Sequence, residues 1–390
     1  MNPRRQCRRW PVSVHDGVLS GTVLITGGAG FVGSHLADEL LAHGYRVRVL
    51  DNLDSQVHGD SIARPEYLNG EAELVRGDVR DRAAVARALR GVDAVVHFAA
   101  AVGVGQSMYE IERYTDVNNR GTAVLLEALS AAPVKRLLVA SSMSIYGEGA
   151  CVDAGGREVT PPARTPAQLR HGDFELRGAD GGMLNPIATC EARAPAPTSV
   201  YALSKLDQER LSLIVGHAYG IPTVALRFFN IYGTRQALSN PYTGVLAIFA
   251  SRYLNRRAPL IFEDGEQRRD FVNVRDVARA CRLSLETHGI SGRVMNIGSG
   301  RSVTISEVAR EMAAVLGIGD LPPTITRKFR QGDIRHCFAD ISLAHELIGY
   351  TPEVGFAEGL AELAEWLAGQ DASDRVEAAG EELARRGLSL

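Results

Sequence analysis

Through the first 140 residues, short and largely β-branched apolar runs alternate with longer stretches whose apolar positions repeat at helical spacing. The runs Val23–Thr26, Arg46–Leu50, Glu73–Arg76, Ala94–His97 and Arg136–Ala140 predict strands. The stretches between them predict helices beginning near Phe31, Arg82 and Ile111. Two further strands are predicted near Thr223–Arg227 and Arg293–Ile297. Alternation of this kind builds βαβ units, so the expected fold is α/β: a Rossmann-type, doubly wound parallel sheet with helices on both faces.

The pattern breaks at 147–198, which are rich in Gly, Pro and Ala and read as an insertion or long loop outside the core. The character changes again around the Gly/Asn/Pro/Tyr cluster at 239–244. The sheet domain is therefore expected to span 21–235 and to receive 265–300. A smaller C-terminal domain is expected from 236–264 and 301–367. Residues 1–20 read as a disordered extension and 368–390 as a polar tail.

Composition narrows the class. The chain has 390 residues, with 45% hydrophobic and 23% charged side chains and a net charge of −3. This is globular composition with no electrostatic reason to expect nucleic acid or an anionic membrane as partner. No uncharged apolar run is long enough to span a bilayer. Arg4, Arg5, Arg8 and Arg9 precede no apolar segment, so no secretory signal is expected. Cys7, Cys151, Cys190, Cys281 and Cys337 are scattered without a CxxC pair, which predicts neither a disulfide framework nor a metal site and fits a cytoplasmic protein.

Strand Val23–Thr26 runs into Gly27-Gly28-Ala29-Gly30-Phe31-Val32-Gly33 and then into a helix. Glycines at 27, 30 and 33 permit a tight turn and let backbone N–H groups approach a pyrophosphate at the helix N-terminus. Asp51 closes the second strand, where a carboxylate accepts from a ribose 2′-OH and repels a 2′-phosphate, which points to NAD rather than NADP. The competing reading of Asp51 is a turn-initiating residue. Asp78, after the third strand, is a candidate for the adenine edge. Tyr201 and Lys205 stand four apart on a predicted helix and share a face. A tyrosine with a pKa near ~10 becomes a usable base when cations favour its phenolate.

With these motifs the chain resembles the extended short-chain dehydrogenase/reductase family, of nucleotide-sugar epimerase/dehydratase type. The likeness rests on the glycine loop, on His97-Phe98-Ala99-Ala100, on Asn118 and on Ser141-Ser142-Met143-Ser144-Ile145-Tyr146-Gly147. It rests further on the Tyr201/Lys205 pair, Arg227-Phe228-Phe229-Asn230-Ile231-Tyr232-Gly233 and Arg269-Asp270-Phe271-Val272. The resemblance implies a catalytic set of Ser142, Tyr201 and Lys205, with Tyr201 the base. It implies NAD contacts from Gly27, Gly30, Phe31, Val32, Gly33, Asp51, Asn52, Asp78, Val79, Ala99, Ala100 and Asn118, together with Tyr201 and Lys205. It implies a nucleotide sugar held by Ser142, Ser144, Asn230, Arg269, Arg330 and Asp333; no metal is expected, because Cys151, Cys190 and His171 fall short of four ligands. It also implies a homodimer built on helices Ile111–Leu129 and Ser199–Tyr219, whose Val124, Leu125, Leu211 and Ile214 exceed what one buried face needs.

Within that family, dehydratases place Asp-Glu directly after the catalytic Ser/Thr, and decarboxylases carry a Glu two positions after it. Met143 and Ser144 stand there instead, and neither is a useful acid or base near neutral pH. Inversion at C4 through a 4-keto intermediate needs no further group and is the expected reaction. Residues 101–109, 141–149 and 235–244 resemble enzymes acting on dTDP-L-rhamnose. That group often carries paired CxxC motifs in the insertion, of which only Cys151 and Cys190 are kept, with His171 between them. Other nucleotide-sugar epimerases, a 4-keto-sugar reductase and a non-catalytic NAD-sensing protein are the alternatives.

Overall fold

The computed structural model describes residues 21–59, 63–236, 244–329, 333–369 and 385–386. Its centre is a seven-stranded parallel sheet: β1 (Thr22–Thr26), β2 (Arg46–Asp51), β3 (Glu73–Arg76), β4 (Ala94–His97), β5 (Arg136–Ser142), β6 (Thr223–Phe228) and β7 (Val294–Ile297). The spatial order is β3-β2-β1-β4-β5-β6-β7, so the chain winds outward from β1 in both directions. This is a doubly wound Rossmann-type arrangement, and the cleft beyond the carboxyl ends of β1 and β4 is its topological switch point.

The central strands β1 and β4 are fully buried because both faces are covered, whereas edge strand β3, Glu-Leu-Val-Arg, stays partly exposed. Val23 and Ile25 face one side, against Leu36, Ala37 and Leu40 of α1 (Phe31–Ala42) and Val277, Ala280 and Cys281 of helix Val274–Glu286. Leu24 faces the other side, against Val85 and Ala88 of helix Arg82–Ala88 and Leu125 and Leu129 of helix Gly121–Ala131. Helix Val200–Ala218 lies on this second side through Leu211 and Val215.

A second apolar cluster joins helices Val245–Leu254, Ile305–Val315 and Phe356–Ala368 through Leu246, Phe249, Val308, Met312, Leu360 and Leu363. It also draws in Tyr232 and Phe271, from stretches expected in the sheet domain. Conversely, Ala344, Ile348 and Tyr350 pack into the sheet's core. The terminal stretches 1–20 and most of 368–390 lie outside the described residues.

Two expectations are corrected. The insertion is more than a loop: Cys151–Val152 pairs antiparallel with Glu158–Val159 and Asn185–Pro186, and Cys151, Leu176 and Leu184 form a small core of their own. Two-residue strands are too short to leave a period in the sequence. Second, Val124 and Leu125 are buried inside the subunit, and Leu211 packs beside them. The exposed apolar residues on these helices include Ile214, as expected, at 63%, with Leu203 at 57% and Ile111 at 54%. Among the described residues, no helix is long and apolar enough to cross a membrane.

Candidate active site

The glycine loop closes the end of β1. Gly27 has φ +70°, and a Cβ there would stand 2.8 Å from the Ala99 nitrogen. A Cβ on Gly33 would stand 2.5 Å from the Gly27 carbonyl oxygen. The turn therefore requires glycine at both positions. No side chain caps the first turn of α1, whose N–H groups at Phe31, Val32 and Gly33 are left for an anion. An uncapped helix end behind a glycine cradle fits the pyrophosphate of a dinucleotide.

Asp51 is buried, and its carboxylate accepts from Ala29 N at 3.0 Å and Leu53 N at 2.9 Å. It thus holds the loop as well as closing the strand. Burial raises its pKa, while these N–H donors and His58 pull it down. Asn52 donates to Asp78 at 3.1 Å, and Arg80 grips the Asp78 carboxylate at 2.8 and 2.7 Å. The Arg80 hydrogen bonds hold the Asp78 pKa at about 2. Val79 packs on Gly121, where a Cβ would fall 2.6 Å from the valine side chain. Ala99 donates its N–H to Thr26 Oγ1 at 3.2 Å, and Ala100, next along, is half-buried. Asn118, in a wide turn over Thr115–Arg120, spends its amide protons on Ala101 O and Ser204 Oγ, at 3.1 and 2.9 Å. It orients the loop after β4 and the Tyr201 helix relative to each other.

β5 delivers Ser142 to the carboxyl edge, and a tight turn over Met143–Tyr146 follows. Ser142 Oγ accepts from Ser144 N at 3.2 Å and from Ser144 Oγ at 2.9 Å, and it is hydrogen-bonded to the Tyr201 hydroxyl. Tyr201 sits in the first turn of helix Val200–Ala218. Ser199 caps that turn by accepting from Ala202 N, and Ser107 Oγ accepts from Tyr201 N at 3.0 Å. Glu209 sets the helix's rotation: its buried carboxylate takes a bidentate pair from Arg227 on β6 at 2.9 and 2.8 Å and a bond from Ser141 at 2.7 Å. Burial raises the Tyr201 pKa, and the Ser142 bond lowers it.

Lys205 stands one turn further along the helix from Tyr201. Its ammonium donates to Gln208 Oε1 at 2.7 Å, and burial pushes its pKa down to about 7 despite the attraction of Glu209. Gln208 donates to Thr122 Oγ1 at 2.8 Å, and Thr122 donates to Asn118 O at 2.5 Å. Thr122 must then accept from His97 Nε2 at 2.9 Å, which leaves His97 Nδ1 to accept from Thr26 Oγ1 at 2.7 Å. Burial holds this imidazole neutral, with its pKa near 3. A continuous buried chain thus links Lys205 to the residue before the glycine loop. Sequence reasoning missed Gln208, because a lone glutamine carries no pattern.

Asn230, Arg269 and Asp333 lie toward the smaller cluster. Asn230 Oδ1 is buried without a hydrogen-bond partner, as an atom awaiting a ligand would be. Arg269 donates to the carbonyls of Arg268 and Arg335 at 2.9 and 3.0 Å and to that of Ile334, so three of its five donors are spent on backbone. Asp333 gives its carbonyl to Arg164 at 2.8 Å. Arg330 lies outside the described residues. Among the described residues, no group of three or more His, Cys, Asp or Glu side chains is placed to hold a metal. Cys151 Sγ points at Val159 O, and His171 Nδ1 at Ala167 O.

A family model described as the NAD dependent epimerase/dehydratase family matches residues 23–167 and 178–298. The dTDP-L-rhamnose 4-epimerase of Burkholderia thailandensis is 36% identical over 350 residues, 89% of this chain and 94% of that one. The UDP-N-acetyl-alpha-D-glucosaminuronate decarboxylase of Bacillus cytotoxicus is 30% identical, covering 88% and 96% of the two chains. Among solved structures, UDP-glucose 4-epimerase of Thermus thermophilus in complex with NAD is 31% identical, with a TM-score of 0.70 over 89% of this chain and 99% of that one.

Proposed function

The chain belongs to the NAD-dependent epimerase/dehydratase family, and from that footing we propose that it inverts C4 of a nucleotide-activated hexose through a transient 4-keto sugar. NAD supplies a hydride acceptor that returns what it takes, so no net oxidant is consumed. Tyr201 removes the O4 proton as C4 is oxidised, and Ser142 holds the same oxygen and steadies the phenolate. Lys205 binds the nicotinamide ribose. NAD would be held by Gly27, Gly30 and the amides of Phe31 to Gly33, and Asp51 would accept from its adenosine ribose. Asn230, Arg269, Asp333 and Arg330 take the nucleotide and its diphosphate.

One observation carries the reaction type. The Tyr201–Ser142 pair is assembled, yet the two positions after Ser142 bring no carboxyl group: Met143 is buried, and Ser144 bonds back to Ser142. Elimination of water needs an acid and a base beyond the tyrosine, and decarboxylation needs a hexuronic acid substrate, whose oxidation at C4 makes it a β-keto acid. Epimerisation needs neither. The favoured substrate is dTDP-L-rhamnose, on the 36% likeness to the Burkholderia enzyme. The test is incubation with dTDP-, UDP-, GDP- and ADP-hexoses without added cofactor, followed by product NMR. A C4-inverted sugar is expected. Release of water or CO₂, or turnover only with added reduced cofactor, refutes the proposal.

The working unit is proposed to be a homodimer. Leu203 and Ile214 stand eleven residues apart on helix Val200–Ala218, a spacing that returns to the same face, and both are exposed. Ile111, on the neighbouring helical segment, is 54% exposed. A two-fold packing of these helices covers all three. Light scattering is expected to give twice the 42.0 kDa chain mass. Leu203→Asp combined with Ile214→Asp is expected to return it to a monomer. A monomeric parent at working concentration removes the proposal.

A further inference from the structure

We propose that the 147–198 insertion is the positioning element of the nucleotide-binding end, acting through Glu148 on the segment 333–336 and through that segment on Arg269. The inference rests on the nucleotide role proposed above for Arg269 and Asp333.

The segment that begins at Asp333 is held almost entirely by groups outside itself. The Glu148 carboxylate accepts from Arg335 N at 2.9 and 2.8 Å and from His336 N at 3.2 Å, and Gly149 N donates to His336 O at 2.8 Å. Arg164 donates to Asp333 O at 2.8 Å and to Glu263 at 2.8 Å. Further on, Thr189 exchanges backbone bonds with Phe338 and Asp340 at 2.8 and 3.0 Å. Glu148, Gly149, Arg164 and Thr189 all come from the insertion.

Side chains repeat the pattern. Arg335 is wholly buried and pairs with Glu263 at 2.9 Å, with Asp264 at 2.6 Å and with Glu175 of the insertion. His336 Nδ1 accepts from Arg268 N at 3.2 Å, so its other nitrogen carries the proton and donates to Glu175 at 3.1 Å. Arg269 closes the chain, since its guanidinium is aimed by the carbonyls of Ile334 and Arg335. Glu148 fixes the N–H groups of the same short segment whose carbonyls fix Arg269. A shift of that segment moves Arg269 and Asp333 together.

Glu148 and Glu175 are therefore positioning residues for the nucleotide end. They touch none of the reacting groups, so their loss should appear in nucleotide affinity rather than in hydride transfer. Glu148→Ala strands two buried N–H donors, an effect worth roughly tenfold or more in an equilibrium. Glu148→Gln keeps one acceptor oxygen and should fall between Ala and the parent. Glu175→Gln, at a half-exposed carboxylate, should follow in the same direction with a smaller change, because Arg335 retains Glu263 and Asp264.

The experiment is calorimetric titration with dTDP, UDP, GDP and ADP, alongside sugar kinetics and quantification of bound NAD. Glu148→Ala is expected to weaken the preferred diphosphate and raise KM about tenfold, with kcat within about threefold and NAD content unchanged. If the parent binds none of the four diphosphates, the nucleotide reading itself fails. If the parent binds one and all three variants match it within twofold, the positioning role is overturned. It is equally overturned if the variants lose NAD or the cooperative unfolding transition together with the nucleotide, since the insertion is then a structural support only.

Discussion

Tyr201→Phe is expected to abolish turnover while leaving the fold and NAD content nearly intact. Phenylalanine preserves the ring, including its edge-on packing against Tyr114 at 6.4 Å between centroids. The backbone bond from Tyr201 N to Ser107 is unaffected, as is the Ser199 cap. What is lost is the hydroxyl hydrogen-bonded to Ser142. A placed acid/base group contributes on the order of 10²–10⁴-fold, so the residual rate should fall at least that far. Burial works against the phenolate, and Ser142 works for it. Ser142→Ala is accordingly expected to be milder than Tyr201→Phe, and its activity should recover with rising pH as the unassisted phenol ionises. Steady-state kinetics on folded protein with the active sugar nucleotide decide the matter. Activity of Tyr201→Phe within tenfold of the parent removes Tyr201 as the base, and a tyrosine that only packs the helix predicts that result.

What was legible in the chain follows from the range of each interaction. All seven strands of the main sheet could be read to within about two residues, because each holds a short β-branched or apolar run, nearly continuous in the central strands buried on both faces. The glycine loop and the Tyr201/Lys205 pair were visible because their spacing is local, Asp51 because it closes a strand about twenty residues after that loop, and Ser142 through the family resemblance. The insertion's architecture was invisible, since its strands are two residues long and its attachments are long-range. Glu148 reaches Arg335, and Arg164 reaches Glu263. The Glu209–Arg227 pair that sets the Tyr201 helix against β6 likewise has no local signature. Asn118 appeared as a cofactor contact, but the structure commits both of its amide protons to the protein. Which apolar residues of helices Gly121–Ala131 and Val200–Ala218 lie exposed was misread for a related reason. Periodicity counts apolar residues without saying which of two packed layers each one meets, so buried Val124 and Leu125 looked equivalent to exposed Ile214.

Lys205→Met is expected to lose activity by two orders of magnitude or more, on the same acid/base scale, and at the same time to stabilise the NAD-stripped protein. The two effects have one origin. The Lys205 ammonium is buried beside Gln208, and desolvation lowers its pKa to about 7 from the ordinary value of 10.5. Below pH 7 the folded chain must bury the full charge, whereas the unfolded chain solvates it. Between 7 and 10.5 the unfolded chain still holds a proton that the folded chain has released. The lysine therefore destabilises the fold fully below pH 7, and the penalty fades as pH rises toward 10.5. Methionine fills similar space without the charge, at the expense of leaving Gln208 Oε1 without its donor. The gain in Tm should thus be largest at pH 6 and should shrink steadily by pH 9. Activity moves the other way, because the cation that is expensive to bury is the one proposed to bind the nicotinamide ribose. Bound NAD should fall in the same variant. Thermal denaturation of stripped parent and variant across pH 6 to 9, with NAD content measured before stripping, tests both halves. A Lys205→Met protein that is less stable than the parent at pH 6, or that keeps near-normal turnover, refutes the account of Lys205 as a strained, functional cation.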